Sequence, residues 1–202
     1  MVPIKRAGSN AHPRPLAPDY VLHVSVRETV PAIWRRLAVP SSFTLEQLHK
    51  TLQFVFGWLN YHLYEFEVGD RRFDSPHNDL GEGEGASTTR LLSLAPHVGD
   101  RWTYRYDFGD DWVHDIVIEE ILPPVSAPDE RWPRLLDGAR AGPPEDCGGA
   151  GGLAELLEAL ARPRSKAGRE MREWVGPHYD PARFDVWHVE RALTFAAAYG
   201  AI

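Results

Sequence analysis

Alternation of apolar and polar side chains marks several stretches of this chain as β-strands. Tyr20 to Val26 and Ile33 to Val39 are rich in β-branched and aromatic residues on either side of Pro31, and form the arms of a hairpin. Leu63 to Val68 and Arg71 to Phe73 flank Gly69-Asp70, a dipeptide that tolerates the positive φ of a tight turn. Arg101 to Phe108 and Trp112 to Ile121 alternate most strongly. With Gly109, Asp110 and Asp111 as their loop, Phe108 opposes Trp112, Tyr106 opposes His114, Tyr104 opposes Ile116 and Trp102 opposes Ile118. All eight lie on one face, which must be buried.

Helical spacing appears elsewhere. Leu45, Leu48, Leu52, Val55, Phe56 and Leu59 recur at intervals of three and four, and Thr44 stands three before Gln47 as in a capping box, so a helix runs from there to about Gly57. A short helix is predicted over Leu153 to Ala161, and a last one after the N-cap Asp185, with Val186, Val189, Leu193 and Ala196 facing the core. Residues 75–89 read as an exposed loop, and Leu122 to Gly152 as a long irregular connection of the kind that carries function. The pattern predicts an α+β fold: a single domain over 19–202, with a curved, mostly antiparallel sheet and helices packed on one face. Four prolines in the first eighteen residues make 1–18 a flexible tail.

Composition agrees with a globular chain of 202 residues, 43% hydrophobic and 25% charged. Seventeen glycines and seventeen prolines favour turns over a helical bundle. The lone Cys147 has no partner for an intramolecular disulfide, which points to a reducing compartment and a cytoplasmic location. The longest nearly apolar run, Ala192 to Ile202, is far short of the roughly 20 residues that span a bilayer. The net charge of −7 is regional. Between Asp100 and Leu160 fourteen acids stand against five arginines, a surface that repels phosphate backbones.

Four motifs, HLYEF (62–66), YDFGDDWVHDI (106–116), GPPEDCGG (142–149) and DPARFD (180–185), resemble in order and spacing the plasmid pRiA4b ORF-3-like family. IWRRLAVP (33–40), the helix leading to Gly57-Trp58 and the final helix are similar to it as well, so the resemblance covers about 18–199. It implies a small α+β domain found on plasmids and near mobile elements, with no established catalytic activity. Some members carry a transposon-resolvase label. The chain departs from the pattern at Gly152-Leu153, where the family has Gly-Tyr.

The residues do not support the resolvase label. Ser25 and Arg27 echo a serine-recombinase strand, but no basic helix-turn-helix follows residue 160. Asp107-Phe108-Gly109 likewise lacks the glycine-rich lid, lysine and catalytic loop of a kinase, so it reads as a hairpin corner. Cys147 is a poor nucleophile, because Glu145 and Asp146 raise its thiol pKa.

The candidate pocket comprises His62, Asp107, Asp110, Trp112, His114, Glu145 and Asp146. Imidazole with carboxylates suits a divalent metal, for which His62, His114, Asp110 and Glu145 are the named ligands, with Asp111 a further acid nearby. The same residues have structural readings. His114 shares an apolar face with Trp112 and Ile116, where a core histidine bonds a carboxylate or backbone, and Asp110 or Glu145 would accept from His114 or the Trp112 indole. Glu145 and Asp146 would cap backbone amides at the glycine-rich turn before the next helix. The leading expectation is a non-enzymatic binding module whose acidic, tryptophan-rich surface takes a cationic ligand or basic peptide rather than DNA. A metal-dependent hydrolase or nuclease is the alternative. Nucleic-acid binding through Arg162, Arg164, Lys166, Arg169 and Arg172 is the third class.

Overall fold

A computed structural model describes residues 18–75, 83–94, 96–123 and 132–202. In chain order the elements are β1 (Asp19–Val26), β2 (Trp34–Pro40), α1 (Leu45–Phe56), β3 (Tyr64–Val68), β4 (Arg71–Asp74), β5 (Glu84–Gly85), a 3-10 turn (Leu91–Leu94), β6 (Arg101–Tyr106), β7 (Trp112–Leu122), β8 (Arg134–Ala139), α2 (Gly149–Leu160), α3 (Lys166–Val175) and α4 (Val186–Ala198). The strands form one open sheet in the order β5-β4-β3-β6-β7-β1-β2-β8. Every pairing is antiparallel except the two-residue contact of β4 with β5. The α+β expectation therefore holds.

Alternation decides the two faces. Tyr64, Phe66, Trp102, Tyr104, Tyr106, Trp112, Ile116 and Ile118 point into one core with Leu48, Leu52 and Val55 of α1, Leu153 and Leu156 of α2, and Leu193 of α4. The opposite face carries ion pairs such as Arg27 with Asp115 and Arg36 with Glu119. Local chemistry fixes the ends of α1. Thr44 and Gln47 form a reciprocal capping box, and Gly57, at φ 81°, closes the helix in the left-handed region that glycine adopts without strain. Asp185 Oδ1 accepts from the His188 amide at the start of α4, the predicted cap.

Several expectations need correction. Tyr106 pairs with Trp112, Tyr104 with His114 and Trp102 with Ile116, so the β6–β7 register differs by two residues from the predicted one. A shift of two keeps every side chain on its face. Its cause is a wider turn: Asp107 Oδ1 accepts from the Gly109 amide, and the Asp111 amide donates to the Asp107 carbonyl at 2.7 Å. Asp107 and Asp111 both have positive φ, which Asp tolerates better than most residues. Leu59 falls beyond α1 and is 59% exposed, so the helical stripe ends at Phe56. The segment predicted to be irregular contains β8, whose sequence RLLDGA lacks clean alternation. It also donates the start of α2, which begins at Gly149 rather than near Leu153. Of the loop expected at 75–89, residues 76–82 lie outside the described residues, whereas the remainder includes β5 and a fully buried Ala86. The expected tail lies outside them up to residue 17. No helix among the described residues is long and apolar enough to cross a membrane.

Candidate functional site

Three segments far apart in sequence meet at one end of the β6–β7 hairpin. The first is the turn after α1, held by a closed ring of hydrogen bonds. The Asn60 amide donates to Gln53 Oε1, and Gln53 Nε2 donates to the Tyr104 hydroxyl. That hydroxyl lies 2.8 Å from His49 Nδ1, and His49 Nε2 lies 2.7 Å from Asn60 Oδ1. One tautomer satisfies the whole ring: Tyr104 donates to Nδ1, and Nε2 carries the proton and donates to Asn60. The ring fixes Asn60 at positive φ and aims the following residues, including His62, toward the hairpin.

The hairpin turn supplies Asp107. The 142–149 segment supplies Glu145 and Asp146, and it docks by close backbone contact. A Cβ on Gly142 would lie 1.9 Å from the Phe56 carbonyl oxygen, and one on Gly149 would lie 2.3 Å from that of Asp110. Trp58 Nε1 donates to the Pro143 carbonyl. Glu145 Oε1 accepts from the Leu59 amide at 2.7 Å and from the Tyr106 hydroxyl at 3.0 Å. Burial and the adjacent Glu145 carboxylate push the Tyr106 phenol up, so it acts as a donor.

At the meeting point His62 Nε2 lies 3.3 Å from Asp146 Oδ1, 3.6 Å from Asp107 Oδ2 and 4.0 Å from Glu145 Oε2. None of these approaches has hydrogen-bond geometry, and both His62 Nε2 and Glu145 Oε2 are out of solvent without a hydrogen-bond partner among the described residues. His62, Asp107 and Asp146 form the one group of metal-ligating side chains that converges among the described residues. Asp107 is nearly buried, whereas the Asp146 side chain is 71% exposed, so the cluster opens to solvent on one side.

The remaining candidates lie elsewhere. His114 is wholly buried among Phe56, Trp58 and Tyr104, with Nδ1 3.2 Å from the Tyr104 carbonyl and 3.0 Å from that of Trp112. Its partners are backbone oxygens, not Asp110 or Glu145. The Trp112 indole is buried and makes no hydrogen bond among the described residues. Asp110 accepts from the Gly148 amide at the start of α2, so the acid at that helix end comes from the hairpin rather than from Glu145 or Asp146. Asp111 lies 2.5 Å from Arg105 on the opposite face of the sheet. Cys147 is half-buried, and burial followed by the Asp110 charge pushes its thiol up to about 12, as an unreactive cysteine requires.

Of the basic cluster, Arg162 pairs with Glu158 and Lys166 with Glu170, both one turn away. Arg169 donates to the Arg164 carbonyl, and Arg172 to the carbonyls of Gly176 and Tyr179.

Sequence reading missed two features. Asn60, through its ring with His49, sets the direction of His62, and no local pattern reveals a partner eleven residues back. Arg35 was legible: Ile33, Leu37 and Val39 flank it at strand spacing and mark it as facing the core, where it is 1% exposed.

Comparison with known proteins agrees with the fold. A curated relative named "Uncharacterized protein y4hQ", from Sinorhizobium fredii (strain NBRC 101917 / NGR234), is 38% identical over 180 residues, covering 88% of this chain and 91% of its own. The crystal structure of a protein of unknown function, MM3350 from Methanosarcina mazei Go1, superposes with a TM-score of 0.77 at 31% identity, covering 86% of this chain and 98% of that one. The profile described as "Plasmid pRiA4b ORF-3-like protein" matches residues 18–188, a span that takes in the sheet, His62, Asp107, Glu145 and Asp146, and the chain belongs to that family.

Proposed function

We propose that this protein is a binding module for a divalent transition-metal ion, held by His62, Asp107 and Asp146 with Glu145 completing the set. The observation that carries this reading is the convergence of one imidazole nitrogen and three carboxylate oxygens that come close without hydrogen bonding one another. Bringing such groups together is unfavourable unless a positive charge sits among them. Size selects the cation. Two ligand atoms about 2.05 Å from a shared tetrahedral ion lie about 3.4 Å apart, close to the approaches of 3.3 and 3.6 Å, with Glu145 Oε2 farther out at 4.0 Å. An ammonium group about 2.8 Å from each acceptor would hold them roughly 4.6 Å apart, so a lysine of a basic peptide fits less well. One nitrogen with oxygens suits zinc or manganese.

Arg162 and Lys166 pair with Glu158 and Glu170, and Arg169 and Arg172 bond to backbone carbonyls, which favours this reading over nucleic-acid binding. A hydrolytic version rests on the same four side chains and is supported by the exposure of Asp146, which leaves a side of the ion open to water.

Equilibrium dialysis of the metal-free protein against zinc and manganese, read by elemental analysis, tests the proposal. We expect one ion per chain. His62→Ala or Asp107→Asn should weaken binding by at least about tenfold, the lower end of what loss of even an outer partner costs. Unchanged affinity in folded variants would overturn the assignment.

A further inference from the structure

Arg35 occupies a position that β2 reserves for an apolar side chain, and the described residues give it no counter-ion. Nε donates to the Val55 carbonyl at 2.8 Å, one of the carbonyls that the end of α1 leaves unpaired, and Nη1 donates to the carbonyls of Trp34 and Ala139. Three neutral acceptors orient the guanidinium without cancelling its charge. Phe184 lies over it at 3.6 Å and Phe56 at 4.8 Å. Gly138 makes that stacking feasible, since a Cβ there would lie 2.5 Å from the Phe184 ring. No carboxylate among the described residues pairs with Arg35, and burial lowers its pKa to about 9. A buried cation in this state is costly unless something completes it.

What remains for a ligand is Nη2, with two N–H donors and no hydrogen-bond partner among the described residues. Arg35 lines a cavity of about 450 Å³ walled by Phe54, Phe184 and Val189, with His178, Arg183 and His188 also along it. Two acids share that wall: Asp180 accepts from the Ala182 amide, and Asp185 caps α4 and lies 3.8 Å from the Arg183 guanidinium on the same wall.

We propose that this cavity binds a small organic carboxylate, one oxygen taking Nη2 of Arg35 and the apolar body lying against Phe54, Phe184 and Val189. A single free nitrogen matches one carboxylate oxygen better than the several oxygens of phosphate, and the apolar walls suit an organic body. The site is distinct from the cation cluster and uses none of its side chains.

The test is calorimetric titration of the full chain with phenylacetate and octanoate, each against its primary amide of equal size and no charge. We expect at least one acid to bind ten-fold or more tightly than its amide. Arg35→Met should abolish that preference. Because Arg35 is buried and its loss threatens the fold, a second variant is needed: His188→Trp, at an exposed position along the cavity, should block the acid while the thermal midpoint stays unchanged. His62→Ala should bind the acid as the wild type does, which separates this site from the cation site. Equal or absent binding of acid and amide by the wild type, or retained binding by His188→Trp, would overturn the proposal and leave Arg35 as a structural cap on α1.

Discussion

His49 and His114 each take a position where a neutral imidazole is built into the core. His114 is enclosed by rings and bonded to two carbonyls, and His49 stacks on Tyr64 at 3.6 Å within its closed ring of hydrogen bonds. Burial pulls both pKa values from 6.5 to about 4. At neutral pH both are uncharged whether the chain is folded or not, so they cost nothing. As pH falls below 6.5 the unfolded chain binds two protons that the folded one refuses, and stability is lost down to about pH 4. With about 1.4 kcal/mol per pKa unit, each contributes a loss of about 3 kcal/mol across that window. Urea unfolding at pH 7.0 and 5.0 should show a lower midpoint at pH 5.0. His49→Gln, if folded, should remove about half of the difference. A flat profile between those values would contradict the neutral-core assignment.

At the scale of elements, the docking of the 142–149 segment against the end of α1 controls where Glu145 and Asp146 stand. Gly142 is the tightest point of that contact, and even the smallest side chain there collides with the Phe56 carbonyl. Gly142→Ala should destabilise the fold by about 1–3 kcal/mol, the usual range for overpacking, and weaken metal binding, although residue 142 offers no ligand. Denaturant midpoints and dialysis on the same variant check both effects. The elements themselves were legible unevenly. α1 announced its cap and stripe, and the β6–β7 face was readable because a register error of two residues leaves face parity intact. Asp107 reads in sequence as part of a hairpin corner and of the pocket but not as a metal ligand; the wider turn, closed through its own carboxylate and carbonyl, turns it toward His62. β8 was not legible, since its pairing with β2 rests on a partner about a hundred residues away.

Across the whole molecule, the candidate site lies where chain topology rather than any local motif places it. His62 follows α1, Asp107 sits in the hairpin turn, and Glu145 and Asp146 come after β8 at the far edge of the sheet. His62 and Glu145 are each named from a motif of the sequence, and the fold brings the two to one place. His114 and Asp110 have equally suggestive chemistry, yet the sheet turns one into the core and ties the other to α2. An ion held by three separate segments binds only the folded chain, since unfolding scatters its ligands. By linkage, metal at 100 times its Kd should stabilise the fold by about 2.7 kcal/mol. The urea midpoint should therefore rise with zinc or manganese in the wild type and stay fixed in His62→Ala. Arg35→Lys, which alters none of the cation ligands, should retain the rise in the folded variant. If wild type and His62→Ala respond alike, the ion is acting at some other place, and the convergence at His62 owes its geometry to docking of the 142–149 segment alone.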